Sequence, residues 1–552
     1  MSEPSPIVNI SGFLSILAQR KPDKVALYVQ TKTGQYLSYT YQELNQASHW
    51  IAKGLLIHGL KPKDRVVLMV KPGLMFFSLV FGLFKAGIVP VIIDPGLEKA
   101  KLKHALDQVE PIGFIGIPLA QIARILLKWG KKSIQQIITV GPRLFWGGTT
   151  LEQICQQGKE TQSPLDLPVT HGNDIAAILF TSGSTGIPKG AVYKHSNFLA
   201  QVELIKKSFQ IQPGEVDVPT FPLFALFDPA LEMTSVIPNM DFSKPAKANP
   251  DTIIQLVHEF NATNLFASPA LLDRLSRYAA TKKLKMPTLK RTISAGAALH
   301  PKIVQQFKDT LNPNSELFTA YGATESLPVS LMGGNDILQD TQIKTHQGFG
   351  ICVGKTVPPS DVKIIQIDDR PLREWNKQFV LPPGEIGEIV VRGPQVTESY
   401  FQMERETLLA KIPIDNHRDF YHRMGDVGYF DESGRLWYCG RKSQRVITKD
   451  QTYFTEVCEG IFNQHPMVFR SALVGVHVQG SIVPVICIEL ESNTKARFTS
   501  IQLELRQLAQ KFPQTQRISY FLHHKKLPVD IRHNAKIIRE QVAKWAAKEI
   551  NK

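Results

Sequence analysis

The densest chemistry in the chain lies at Thr181-Ser182-Gly183-Ser184-Thr185-Gly186-Ile187-Pro188-Lys189-Gly190, directly after the apolar run from Ile175 to Phe180. Hydroxyl and small side chains leave the backbone N–H groups free to wrap phosphate oxygens, and Lys189 adds a cation. The spacing differs from the P-loop pattern G-x-x-x-x-G-K-[ST]: two residues separate Gly183 from Gly186, and Gly190 follows Lys189. A polyphosphate ligand is expected on a loop of another kind. Elsewhere, Asp228 in the apolar segment Phe221 to Ala230 is a candidate base, weighed against a hydrogen-bonded structural acid. Phe221, Phe224 and Phe227, at three-residue spacing, read as core before acyl tunnel, and His195 as a turn residue ahead of a helix capped by Ser196.

A strand must lead into that loop, and its surroundings read as alternating layers. Tyr41-Gln42-Glu43-Leu44 opens an amphipathic helix, Arg65 to Val70 and Val89 to Ile93 are strands, and helical spacing resumes from Leu97 through Ala105. This α/β rhythm continues to about residue 365. Between Pro382 and Gly440, short strands such as Gly387 to Arg392 and Leu436 to Cys439 suggest a β-rich subdomain. After Arg441 come strands at Arg445 to Thr448, Ala472 to Val476 and Val483 to Leu490, with helices near Ile501 to Gln510 and Ile537 to Lys548. The predicted fold is therefore α/β: a large N-terminal domain over residues 1–440, joined through a hinge at Arg441 to Ser443 to a small, mobile α+β lid over residues 441–552.

With 552 residues, 43% hydrophobic and 20% charged, the chain can bury several packed layers. Its longest apolar run, Gly73 to Phe84, is too short to span a bilayer, and no secretory signal opens the chain, so a soluble protein is expected. Five dispersed cysteines without a C-x-x-C pair suggest neither a disulfide framework nor a zinc site, which fits a reducing cytoplasm. The net charge of +15 admits peripheral contact with an anionic membrane without requiring it, and its field favours a polyphosphate substrate. Nucleic acid is not expected as a partner.

The loop resembles the signature of the adenylate-forming superfamily of acyl-CoA synthetases, nonribosomal adenylation domains and luciferases, and further motifs recur in order. Tyr321-Gly322-Ala323-Thr324-Glu325 is similar to the segment whose ring packs on adenine, whose threonine meets phosphate and whose glutamate holds Mg²⁺. Ser294 to Leu299, with Gly296, Ala297 and Ala298, resembles the backbone stretch against the adenine face. Met424 to Gly428 and Tyr438 to Arg441 resemble the ribose strand and the exit to the tail, with Asp426 accepting from ribose hydroxyls. An Asp buried without a partner would be costly, so a polar ligand explains it economically. Pro528 to Ile537 resembles the segment carrying the adenylation lysine, here Lys536. The resemblance implies ATP and Mg²⁺, with Lys536, Glu325 and Thr324 catalytic.

Departures narrow the reaction. The superfamily's loop histidine is replaced by Ala225, the glycine before the lysine by Ala535, and the hinge aspartate or lysine by Ser443. The strand that helps admit a thiol is replaced by Thr448-Lys449-Asp450-Gln451-Thr452. Together with Ile93-Asp94-Pro95-Gly96, Phe114 to Ala120 and His422 to Phe430, these segments are similar to the β-lactone synthetases of bacterial long-chain olefin biosynthesis. That resemblance implies adenylation of a 2-alkyl-3-hydroxy fatty acid, closure to a β-lactone, and association with other enzymes of the pathway. A long-chain fatty-acyl-CoA ligase or fatty-acyl-AMP ligase is the alternative.

Overall fold

The computed structural model describes residues 7–93, 97–161, 166–180, 187–415, 419–492, 494–530 and 536–551. The loop residues 181–186 and residues 531–535 before Lys536 lie outside these. Short β-branched runs such as Arg65–Met69 and Val89–Ile92 build a seven-stranded sheet. Its order is Thr149–Thr150, Gln136–Thr139, Gly113–Gly116, Arg65–Met69, Val89–Ile92, Ile175–Phe180 and Gly190–Lys194, parallel except for the last pair. Parallel strands need cover on both faces. Val66 and Leu68 join the core of helices Tyr41–Ile57 and Leu74–Lys85, while Val67 and Phe114 pack with Leu102, Ala105 and Leu106 of helix Lys99–Val109.

A fourteen-stranded sheet forms the second layer. Arg291–Ala295 pairs in parallel with Glu316–Ala323, which turns back into Ser326–Gly333. The β-rich segment is present, and its strands extend this sheet through Ile351–Thr356 and Leu436–Arg441. It keeps an apolar cluster of its own around Val362, Ile389, Val391 and Met424.

Beyond Arg441 a three-stranded sheet of Val468–Val478, Ser481–Leu490 and Tyr520–His523 sorts its residues with period two. Leu473, Ile486 and Ile488 face helices Thr455–Phe462 and Phe498–Gln510, while Ala472, Val474 and Cys487 face Arg539–Ile550. Ile175–Phe180 and Gly387–Arg392 match their sequence-based limits. The cap ahead of helix His195–Ser208 does not: the Asn197 side chain, not Ser196, accepts the Lys194 N–H at 2.9 Å. All five cysteines are free, and among the described residues no helix is long and apolar enough to cross a membrane.

Candidate active site

Strand ends from both large sheets converge on one cavity of about 2510 Å³. Every candidate residue that the structure describes lines it: Lys189, Gly296, Ala297, Ala298, Tyr321, Gly322, Thr324, Glu325, Asp426, Tyr438, Arg441 and Lys536. Thr181, Ser182, Gly183, Ser184, Thr185 and Gly186 lie outside the described residues. Gly296, at the exit of strand Arg291–Ala295, has φ +94°, a left-handed backbone that a side chain would strain.

The residues after Glu325 are pulled in by a third stretch of chain. Ser399 to Phe401 pairs with the free edge of Gly190–Lys194: Val192 N–H donates to the Ser399 carbonyl at 3.0 Å, and Phe401 N–H to that of Gly190 at 2.8 Å. This places the Tyr400 ring 5.0 Å from Lys189 Nζ, a cation–π distance. The Tyr400 hydroxyl donates to Glu325 Oε1 at 2.6 Å, and burial holds that phenol well above its ordinary pKa. Glu325 is buried, its carbonyl accepts from Thr397 N–H at 2.9 Å, and the Tyr193 hydroxyl bonds the Thr324 carbonyl. Behind them lies Lys411, whose ammonium bonds the Thr397 carbonyl; burial draws it down to about 7 against the opposing pull of Glu325 and Glu398. His422, its neighbour across the sheet, is held neutral by burial and by Lys411. Sequence reasoning missed Tyr400, which is 75 positions from Glu325, and Lys411, whose bond to Thr397 follows no helical or strand spacing.

Asp426 is buried: Oδ2 accepts from the Tyr321 hydroxyl at 2.7 Å, while Oδ1 lies 3.0 Å from Arg441 in an ion pair but receives no hydrogen bond among the described residues. Burial raises its pKa, opposed by Arg441, the Tyr321 hydrogen bond and Lys536. The Lys536 charge therefore acts on the Asp426 side of the cavity. Its backbone is pinned there by an antiparallel bridge between Val529 and Ile537, with Asp530 N–H donating to the Lys536 carbonyl at 2.9 Å. The Tyr321 and Tyr438 rings stand 6.0 Å apart, tilted.

The other end of the cavity is apolar. Phe221, Phe224 and Phe227 line it, with Phe224 stacked on Phe266 at 4.6 Å; Phe227 also belongs to the main core, as read from the sequence, and Phe224 packs against that core. Asp228 is fully buried outside the lining, bonded by the Ser235 hydroxyl, and is a structural acid. His195 is buried beside Phe84, its pKa lowered by burial to about 4. Just after Arg441, Lys442 reaches Glu388 at 3.0 Å, and Arg423 clasps the same carboxylate at 2.6 Å.

The AMP-binding enzyme family matches residues 15–401. The chain is 46% identical to olefin beta-lactone synthetase of Xanthomonas campestris pv. campestris over 98% of each protein. It is 45% identical to olefin beta-lactone synthetase of Stenotrophomonas maltophilia over 99% of each. The crystal structure of ATP-bound MatB from Rhodopseudomonas palustris superposes with a TM-score of 0.77 at 20% identity, covering 99% of this chain and 100% of that one. A shared fold, a family match across most of the chain and close relatives along nearly all of it lead to one conclusion: the chain belongs to the AMP-binding enzyme family.

Proposed function

We propose that this chain is an ATP-dependent β-lactone synthetase, which adenylates a 2-alkyl-3-hydroxy fatty acid and closes it to a β-lactone. The observation that carries this reading is the continuity of one cavity, from Lys536, Asp426 and Glu325 at one end to the aromatic wall at the other. Its volume exceeds the usual span of about 300–1,000 Å³ for small-molecule pockets, as a nucleotide together with alkyl chains requires.

In this reading the nucleotide is held by residues 181–186, Lys189, Thr324, Tyr321 and Asp426, with Gly296 to Ala298 and Tyr438 flanking the base. The substrate carboxylate forms a bond to the α-phosphorus, pyrophosphate leaves, and Lys536 offsets the charge gathering between them. Arg441 opposes the upward push that burial puts on the Asp426 carboxyl. The 3-hydroxyl oxygen then bonds the acyl carbon, AMP departs with the electron pair, and the hydroxyl proton is released. The four-membered ring is strained, so proximity alone cannot close it and a good leaving group is needed. The partners are other enzymes of olefin biosynthesis, one of which decarboxylates the lactone.

Mg²⁺ fits the residues present. Among the described residues no cluster of three or more potential ligands exists, and Glu325 offers one oriented anionic oxygen, the pattern of an ion shared between one carboxylate and substrate phosphates. Bound there, the ion would neutralise phosphate charge. Glu325→Gln should raise the Mg²⁺ requirement sharply. Tyr400→Phe, which only frees the carboxylate to turn, should raise it about tenfold with little change in melting temperature. Magnesium titrations of pyrophosphate exchange check both, and an unaltered titration for Tyr400→Phe would detach it from the site.

The test of the reaction is incubation with ATP, Mg²⁺ and a synthetic 2-alkyl-3-hydroxy acid. Mass spectrometry should find the acid minus one water, at the same rate with or without CoA. A CoA thioester with no lactone would establish the ligase alternative instead.

A further inference from the structure

Helix Pro118–Leu126 is built inside out. Its one buried side chain is Gln121, fully enclosed, donating to the Ile138 carbonyl at 3.0 Å and accepting from Arg124 at 3.0 Å. Leu119 and Leu126, seven residues apart and so on one face, are 70% and 73% exposed. Gln121 lies about 200° around the helix from Leu119. An amphipathic helix ordinarily packs its apolar face inward; here Ala120 and Ala123 pack on the core, Gln121 is anchored, Leu119 stands at the cavity and Leu126 faces outward.

The surroundings continue the pattern. Gly141 sits against Pro118, so the loop after strand Gln136–Thr139 lies beside the start of the helix. That loop exposes Leu144 at 55% and Phe145 at 78%, while its neighbour Trp146 is buried and donates to Thr139 Oγ1 at 2.9 Å. Lys128, Lys131, Lys132 and Arg143 are exposed around it, and between Glu110 and Glu152 the sequence holds no acidic residue. Although Asp107 accepts from the Gly130 N–H at 3.3 Å, cations outnumber acids here, and exposed apolar side chains beside a net positive rim match the chemistry of an anionic lipid surface. Leu119, Ala120 and Ala123, on the same helix, line the cavity.

We propose that this helix and the Pro142 to Trp146 loop form a docking surface for an anionic bilayer, laying the wall of the apolar cavity against the membrane. Leu126 and Phe145 enter the acyl region, and the lysines meet the headgroups. A protein partner or a second copy would be expected to offer acidic residues opposite the lysines, and among the described residues Lys128, Lys131 and Lys132 form no ion pair within the chain. The reason for approaching a membrane, a lipid substrate, rests on the proposed function; the contact itself does not.

Vesicle flotation of the full-length enzyme tests it. Vesicles of phosphatidylglycerol and phosphatidylcholine should carry the wild type, and phosphatidylcholine alone should carry far less. Lys128→Gln/Lys131→Gln/Lys132→Gln should lower partitioning about a hundredfold, and Leu126→Ser/Phe145→Ser at least tenfold. Both variants should keep the wild-type rate on detergent-dispersed acid and an unchanged melting curve, which separates docking from folding. Equal flotation of wild type and variants, no flotation at all, or a dimer that Leu126→Ser/Phe145→Ser merely splits would overturn the proposal. Flotation needs no turnover, so an enzyme that docks yet forms no lactone would remove the proposed reaction and leave the surface standing.

Discussion

Lys536→Ala should lower pyrophosphate exchange several-hundredfold while ATP affinity stays within about threefold of wild type. A preorganised charge aimed at a transition state is worth roughly 3 to 4 kcal/mol, and each 1.4 kcal/mol is about tenfold in rate. The asymmetry between catalysis and binding follows from where the residues sit. Lys189, Tyr321, Thr324 and Asp426 belong to the two large sheets and their loops, whereas Lys536 reaches the cavity from the tail, its backbone fixed by the Val529–Ile537 bridge. Removing its ammonium therefore leaves the nucleotide's other contacts in place. Exchange assays with titration calorimetry read the two quantities separately. A variant that exchanges normally, or one that loses ATP affinity in step with rate, would return Lys536 to the surface lysines.

The largest effect on stability should come from Glu388→Ala. Glu388 and Arg423 are 1% and 2% exposed, and Lys442 shares the same carboxylate. Deleting the anion strands two cations in a place water barely reaches, which costs about 3–5 kcal/mol. The carbonyls of Asp368 and Arg370 also accept from Arg423, so the guanidinium keeps some partners. Asp369→Ala is the control: it faces Arg445 at 2.7 Å but is 69% exposed, so its loss should move stability by no more than about 1 kcal/mol. Urea midpoints followed by tryptophan fluorescence are the measure, since a chain of several domains need not unfold in one step. Equal midpoints for the two variants would show that water or rearranged neighbours already solvate the clasp.

What the sequence disclosed depends on how far apart the cooperating residues lie. Periodicity is local, so Ile175–Phe180 and Gly387–Arg392 could be drawn to their ends, and motif resemblance placed Tyr321, Asp426 and Lys536 in one cavity. Pairings across the sheet leave no such trace. Nothing near Asp426 announces the Tyr321 hydroxyl on one oxygen and the Arg441 charge beside the other, and nothing near Glu325 announces Tyr400, 75 positions on. The phenylalanine triplet carried the right spacing but not the direction: apolar rings face a core or a ligand tunnel equally well until the opposite wall is known. Helix Pro118–Leu126 is a harder case, because its pattern of leucines and alanines is that of a helix packed the other way round.

Lys442 and Arg445 flank Ser443 and Gln444, and the strengths of their contacts differ in kind. Lys442 is bolted to a buried carboxylate, whereas Arg445 rests on an exposed one. Any turn of the tail that unseats Lys536 thus has its axle after Lys442 and its catch at Arg445. The torsions of Ser443 and Gln444 are then the available swivel, and the catch should weaken as ionic strength rises while the bolt, shielded from solvent, holds.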